Sequence, residues 1–426
     1  MNAIGIDIGT TSICGVLINV ENGRVIKSHT KNSNAFLNGT NPFEKIQSVE
    51  KITKVAFSIL DDMIDEDTKV IGVTGQMHGI VYEDENGNAV SPLYTWQDGR
   101  GNLEYNGTTY AKYLNSFSGY GNVTDFYNRE NGLRPKDAVG YSTIHDYFVM
   151  KLCNLKEPII HSSDAASFGC YNLTNNTFDY PCNAKVVTDY EIAGTYKDIP
   201  VSVAIGDNQA SVFSTLADEN NILLNIGTGS QVSVISDKIV TGENIEVRPY
   251  FDNKYLIVGA ALCGGRAYSQ LKNFYSEIFN YISNIQDDAV FGIMAKMLEK
   301  ADKTTLVTDT RFAGTRKNTE IKGSISGITT DNFNPCELTR SVIDGMVNEL
   351  YNMYLEMKSE KHGIVASGNG IRKNPALINA FEKKFNSTMK IPNHFEEAAF
   401  GAALFAMVSA RIVKSAKEAQ KMIKYN

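Results

Sequence analysis

The stretch Ile4-Gly5-Ile6-Asp7-Ile8-Gly9-Thr10-Thr11-Ser12 constrains this chain more than any other, because it occurs twice. An apolar strand leads into a lone carboxylate and then a glycine turn with three hydroxyls. Glycine lets the backbone approach a ligand closely, and successive N–H groups can form an anion-binding concavity. The carboxylate is suited to holding Mg²⁺ through water. A shift of 218 positions lays Ile4–Leu17 over Ile222–Ile235. Ile4, Ile8, Gly9, Thr10, Ser12 and Val16 then fall on the identical residues Ile222, Ile226, Gly227, Thr228, Ser230 and Val234. An offset near half the chain is what an internal duplication gives. The second copy has Asn225 in place of Asp7, so both halves carry the turn and only one carries the charge. The plainer alternative is two unrelated strand-turn-strand hairpins of similar composition.

At 426 residues the chain is long enough for two domains, each with its own core. A net charge of −7 with scattered Lys and Arg argues against a nucleic-acid or membrane-surface role. The six cysteines (Cys14, Cys153, Cys170, Cys182, Cys263 and Cys336) show no C-x-x-C pair and read as reduced thiols of a cytoplasmic protein. No apolar run approaches a membrane span in length.

Ile4–Ile8, Ile13–Val20 and Arg24–Thr30 read as a strand meander turning at Glu21-Asn22-Gly23. Pro42–Glu66 is expected to be helical, with Ile52, Val55, Ala56, Ile59, Leu60 and Met63 on one face. Lys69–Thr74 is a β-branched strand running into Gly75-Gln76-Met77-His78-Gly79. Residues 101–135, rich in Gly, Asn and Tyr, read as a surface excursion, and Tyr141–Leu152 as a helix. Val201–Ile205 is a short strand delivering Gly206-Asp207-Asn208-Gln209. The polar stretch Ala217–Asn221 is a candidate hinge, giving expected domains 1–216 and 217–426. Later, Asn334-Pro335 opens a long helix, Gly363–Ala366 is a strand into Ser367-Gly368-Asn369-Gly370, and Pro375 starts another helix. Glu396–Ala410 is a helix of small residues, suited to close packing.

Glycine-rich turns thus end strands at Gly9, Gly227 and Gly368. The chain has no G-x-x-x-x-G-K-[ST], no strand-linked G-x-G-x-x-G followed by an acid, and no V-A-I-K with H-R-D. A two-lobed α/β clamp for a nucleotide triphosphate remains. Phosphoryl transfer needs a metal, positioning, and a group to take the attacking hydroxyl's proton. Asp7, inside a phosphate-type turn, suits the metal. Asp207, beside two carboxamides that can hold a hydroxylated substrate, suits the base. Asp207 could instead cap a helix starting at Gln209. Gln76, His78, Trp96, Asp98 and Arg100 together suit a polyol site, with the indole covering a sugar's C–H face. Singly, His78 reads as a hydrogen-bonded core histidine, Trp96 as a core aromatic and Asp98–Arg100 as a loop ion pair.

Six motifs in order, Gly5–Ser12, Thr74–Gly79, Thr95–Arg100, Gly206–Ala210, Asn225–Ser230 and Ser367–Gly370, resemble those of the FGGY carbohydrate kinases of the actin/hexokinase/Hsp70 superfamily. The ketose-type wording Met77-His78 is similar to the sedoheptulokinase branch, with xylulokinases as neighbours. The resemblance implies two ribonuclease-H-like lobes, with ATP and sugar in the cleft between them. It implies Asp207 as base, Asp7 near Mg²⁺, and Gly9, Thr10, Thr11, Gly227, Thr228 and Gly229 around the β- and γ-phosphates. Gly264, Gly265, Gly368 and Asn374 would surround the rest of the nucleotide. Gln76, Met77, His78, Trp96, Asp98 and Asn208 would contact the sugar; a homodimer stays open as an assembly that the sequence does not fix. In two respects the chain departs from the family. Cys14 stands where Lys or Arg is usual, leaving Arg266 as a candidate replacement cation, and the chain is shorter than most members. The expected activity is ATP-dependent phosphorylation of a ketose such as sedoheptulose. The alternatives are a kinase for xylulose, ribulose or a polyol, and a non-catalytic sensor of nucleotide and sugar.

Overall fold

Alternating burial along Asn2–Ile8 is overridden by an almost continuous apolar run, as befits a strand covered on both faces. In a computed structural model describing residues 1–182, 184–282, 286–318 and 320–426, this strand lies at the centre of a mixed sheet. It pairs antiparallel with Ser12–Asn19 and parallel with Thr68–Gly75. Strand order across the sheet is 192–196, 199–202, 68–75, 2–8, 12–19, 25–32, with Ile205–Gly206 added alongside Thr68–Gly75. Helix Val49–Met63 covers one face, burying Ile52, Ala56, Ile59, Leu60 and Met63 among Ile4, Ile6, Ile8 and Ile13.

The second copy of the turn builds the same arrangement. Asn221–Ile226 pairs antiparallel with Ser230–Ser236 and parallel with Gly363–Ser367. The order in this sheet is 245–250, 254–261, 230–236, 221–226, 363–367, 389–390. The reading of an internal duplication therefore holds at the level of topology, and the fold is the expected mixed α/β type.

The chain divides into two compact units. The first comprises Met1–Ala217, Arg248–Tyr255 and Glu396–Lys424; the second comprises Asp218–Val247, Leu256–Phe395 and Tyr425–Asn426. Helix Glu397–Ser409 belongs to the first unit, and its small residues let it lie directly on the backbone there. A Cβ on Gly5 would fall 1.8 Å from the carbonyl oxygen of Ala399, and one on Gly72 would fall 2.0 Å from that of Ala402. On another side of the helix, a Cβ on Gly401 would sit 1.9 Å from the carbonyl oxygen of Ala210.

Three local expectations need correction. Residues 42–48 are not helical: Ile46–Gln47 pairs with Leu93–Tyr94, and Ser48 caps a helix that starts at Val49. Residues 101–135 are no loose excursion. They form the hairpin Glu104–Thr109 and the helices Tyr110–Tyr113 and Gly121–Glu130, held by packing of Tyr105, Tyr110, Phe126 and Tyr127. Aromatic packing does this without the 3–4 apolar spacing that marks an amphipathic helix. Gly140–Ser142 is a strand against Val81–Glu83, and Thr143 caps the following helix, Ile144–Leu152.

Candidate active site

Asp7 is the penultimate residue of the central strand and sits opposite Cys14 in the hairpin. It is partly exposed, and its Oδ1 has no hydrogen-bond partner among the described residues. Burial, with the nearby charges of Asp207 and Glu396, pushes its carboxyl up to about 7. Such a group gains from a cation. Cys14 supplies none: burial drives its thiol up to about 12.

Thr10 joins the turn to the expected sugar loop. Its hydroxyl donates to Gln76 Oε1 at 3.2 Å and accepts from Trp96 Nε1 at 3.0 Å. Gln47, fully buried, donates to the Thr10 carbonyl at 2.6 Å and accepts from Gln76 Nε2 at 3.0 Å. Gln47 is thus a member of the site that the sequence reading missed. A glutamine just before a helix carries no local signal, and only the pairing of Ile46–Gln47 with Leu93–Tyr94 brings it in.

Asp207 is the first residue of helix Asp207–Thr215, with Gly206 at the N-cap and no side-chain capping bond. A carboxylate at the N-terminal turn faces the positive end of the helix dipole. Asp207 and Asn208 are partly exposed, whereas Gln209 is buried and donates to the Pro249 carbonyl at 3.1 Å. Burial raises the Asp207 carboxyl; His145, Arg248 and the backbone N–H of Asn208 oppose the rise. Arg248, itself buried, donates to Asn208 Oδ1 at 3.1 Å.

Met77 packs its thioether where a side chain of Gly206 would lie, within 2.8 Å of that Cβ position. His78 holds φ at 76°, a left-handed conformation that costs energy in a non-glycine residue. Its N–H donates to Ser167 Oγ at 3.1 Å, its Nδ1 lies 2.9 Å from the Ser167 carbonyl, and its ring stacks on Tyr120. Trp96 is 45% exposed, which suits a binding face better than a core position. Asp98 is buried and its oxygens are engaged, by Arg100 at 2.6 and 3.2 Å and by the N–H of Lys45 at 3.1 Å. Arg100 also lies 4.3 Å from the centroid of Tyr94.

In the second unit, a cavity of about 1160 Å³ is lined by Gly227, Thr228, Gly265, Arg266, Gly368 and Asn374, among others. Its turn is tied by Gly265 N–H to the Gly227 carbonyl at 3.0 Å and Arg266 N–H to the Thr228 carbonyl at 3.0 Å. Gly368 has φ +90°, and Asn374 caps helix Pro375–Phe385 by accepting from Leu377 N–H. Gly229 and Gly264 do not line the cavity; a Cβ on Gly264 would fall 2.4 Å from Ser230 Oγ and 2.7 Å from the Gly229 carbonyl carbon. Asn225, the uncharged counterpart of Asp7, donates to Ser367 Oγ at 2.9 Å.

Two sets of groups thus stand in two units of like topology: carboxylates and amides in one, and glycine turns around a roomy cavity in the other. Family comparison gives the class of the whole chain. The model of the N-terminal domain of the FGGY family of carbohydrate kinases matches residues 2–117, and that of the C-terminal domain matches residues 222–410. The chain belongs to the FGGY family of carbohydrate kinases. It is therefore a phosphotransferase with an alcohol group as acceptor, from a family that uses ATP and acts on sugars. It is 27% identical to the sedoheptulokinase of Mus musculus, over 94% of this chain and 96% of that one. It is 24% identical to a xylulose kinase of Staphylococcus xylosus, over 95% and 90% of the two chains. The crystal structure of a xylulose kinase from Rhodospirillum rubrum superposes with a TM-score of 0.85 at 16% identity, covering 100% of this chain and 93% of that one. No helix among the described residues is long and apolar enough to cross a membrane.

Proposed function

We propose that this FGGY kinase transfers the γ-phosphoryl group of ATP to the primary hydroxyl of a ketose, with sedoheptulose as the first acceptor to test. The observation that carries the reading is Asp207. It is a partly exposed carboxylate at a helix N-terminus, with Met77 against the glycine before it and Asn208 held by Arg248. Similarity to a sedoheptulokinase over nearly the whole chain supports the choice of sugar.

Gln76, Met77, His78, Trp96, Asp98 and Asn208 hold the ketose. Trp96 covers its C–H face, and Asp98, through Arg100, fixes the loop carrying the indole. Asp207 takes the proton of the attacking hydroxyl as the hydroxyl oxygen bonds to the γ-phosphorus, while the bond from that phosphorus to the β,γ-bridging oxygen breaks and ADP leaves. A carboxylate raised by burial is a better acceptor near neutral pH than an ordinary one. The turn Gly9, Thr10 and Thr11 of the first unit and the turn Gly227, Thr228 and Gly229 of the second are each suited to a phosphate through their N–H groups. Gly264, Gly265, Gly368 and Asn374 surround the remainder of the nucleotide. The donor set fits a hard divalent cation, since Asp7 presents a carboxylate oxygen without a partner among the described residues. Asp7 would hold Mg²⁺, which supplies neutralisation of phosphate charge.

Replacing Asp207 with Ala tests the base. Ketose phosphorylation is expected to fall by ~10²–10⁴-fold with ADP binding retained. A variant that binds ADP and turns over near the wild-type rate refutes the assignment. A coupled assay over sedoheptulose, xylulose, ribulose and gluconate tests the acceptor, and the highest kcat/KM on a sugar other than sedoheptulose replaces it.

A further inference from the structure

We propose that His145 and Asp164 are positioning residues for Asp207, a buried hydrogen-bonded pair that fixes the strip of backbone from which the base projects. The inference rests on the reading of Asp207 as the base. Both side chains are fully buried, and His145 Nε2 lies 3.0 Å from Asp164 Oδ1. Gly75 pairs in register with Gly206, the residue before Asp207. At Gly75 the space of a Cβ is taken by the Ile8 carbonyl oxygen at 2.8 Å and by the side chain of His145, whose Nδ1 lies 3.0 Å from that position. At Gly206 it is taken by Met77. The two glycines are therefore clamped by a ring and a thioether. Ser163 adds a third hold, accepting the Gly206 N–H on its hydroxyl at 3.0 Å, and Ser163 in turn lies 2.8 Å from His161 Nδ1. One short helix, Ser162–Ser167, thus bonds both the backbone behind the base and the imidazole beside it.

Charge favours the same arrangement. Asp7, Asp146, Asp164 and Asp207 all belong to this unit, and His145 and Arg248 oppose the rise that burial imposes on Asp207. Burial drives Asp164 well up and His145 down, each towards its uncharged form. A neutral pair adds no negative charge behind a base that must itself ionise. His145, Asp146 and Asp164 also offer three ligand-type atoms within 4.8 Å of one another. A metal ion there would displace the imidazole–carboxyl bond, and the test below detects it.

The variants are His145→Gln, Asp164→Asn and the double replacement, assayed beside Asp207→Ala. Each single change is expected to lower kcat by about tenfold or more, because small misplacements of a reacting group are costly. KM for ATP and for the ketose should stay within about twofold, and the double variant should be no worse than the poorer single one. The ¹⁵N signals of the His145 ring, assigned by replacing the other five histidines, should move when Asp207 becomes Asn in otherwise unaltered protein. That measurement stands even if the variants at 145 and 164 do not fold. Ring signals indifferent to Asp207→Asn, variants with unchanged kcat, or a stoichiometric metal ion in the purified protein would overturn the inference. An active Asp207→Ala would instead overturn the assignment of the base.

Discussion

Burial acts on two carboxyls of the first unit with different outcomes. Around Asp207, His145, Arg248 and a backbone N–H oppose the rise that burial imposes. Glu83 is more deeply buried and has less help: Ser142 donates to one oxygen, and Oε2 has no partner among the described residues. Burial, with a further contribution from Asp146, pushes Glu83 up to about 8. The folded chain therefore holds this proton more tightly than the unfolded chain, where the acid titrates near its usual value. The stability this provides is complete below about pH 4.5 and is lost as pH rises through 8. Glu83→Gln keeps an acceptor for Ser142 and cannot ionise. Its stability should match wild type near pH 5 and exceed it at pH 9 by on the order of 2–5 kcal/mol, seen as a higher melting temperature. Parallel thermal melts across that range check this; a gap that closes with rising pH contradicts it. At this scale the sequence showed residues that announce themselves locally, such as Asp7 in its turn. Gln47, His145, Asp164 and Arg248 were invisible because each enters the site from a distant segment, through pairing or packing that no local pattern encodes.

Among elements, helix Glu397–Ser409 depends most on the absence of side chains. Its small residues announced close packing, and Gly5, Gly72 and Gly401 meet it or its neighbours at distances no Cβ survives. Alanine is the better helix former by ~1 kcal/mol. At Gly401 that gain is outweighed, because the new methyl would strike the Ala210 carbonyl oxygen and force apart two helices, one of which begins at Asp207. Gly401→Ala should cost roughly 1–3 kcal/mol, seen in thermal melts, and lower kcat with it. Gly292 is the internal control, a helical glycine with nothing within 4 Å of its Cβ position. There the same change should stabilise by up to ~1 kcal/mol. Equal effects at the two sites would contradict the packing argument. What the sequence did not show is the partner surface of this helix, because a stripe of small residues states how close an approach is and not to what.

Over the whole molecule, the repeat separated by 218 positions was the readable feature, because strand and turn are local and the same physics acts twice. Both sheets repeat the pairing of a strand with its hairpin partner and with a parallel third strand. The discontinuity of the first unit was not readable, since it is set by which sheet the helix Glu397–Ser409 covers. A chain ending at Phe395 should lack kinase activity and lose the cooperative melt of the first unit, while the glycine-lined cavity of the second unit still binds ADP. Calorimetry and ADP titration check this, and a truncated chain that phosphorylates a ketose contradicts it.

That helix also sets a timetable. During synthesis the strand bearing Asp7 and the helix that begins at Asp207 leave the ribosome long before the helix Glu397–Ser409, whose backbone lies against Gly5 and Gly72. A nascent chain can then hold both carboxylates before the helix that packs against the strand of one and the helix of the other has been made.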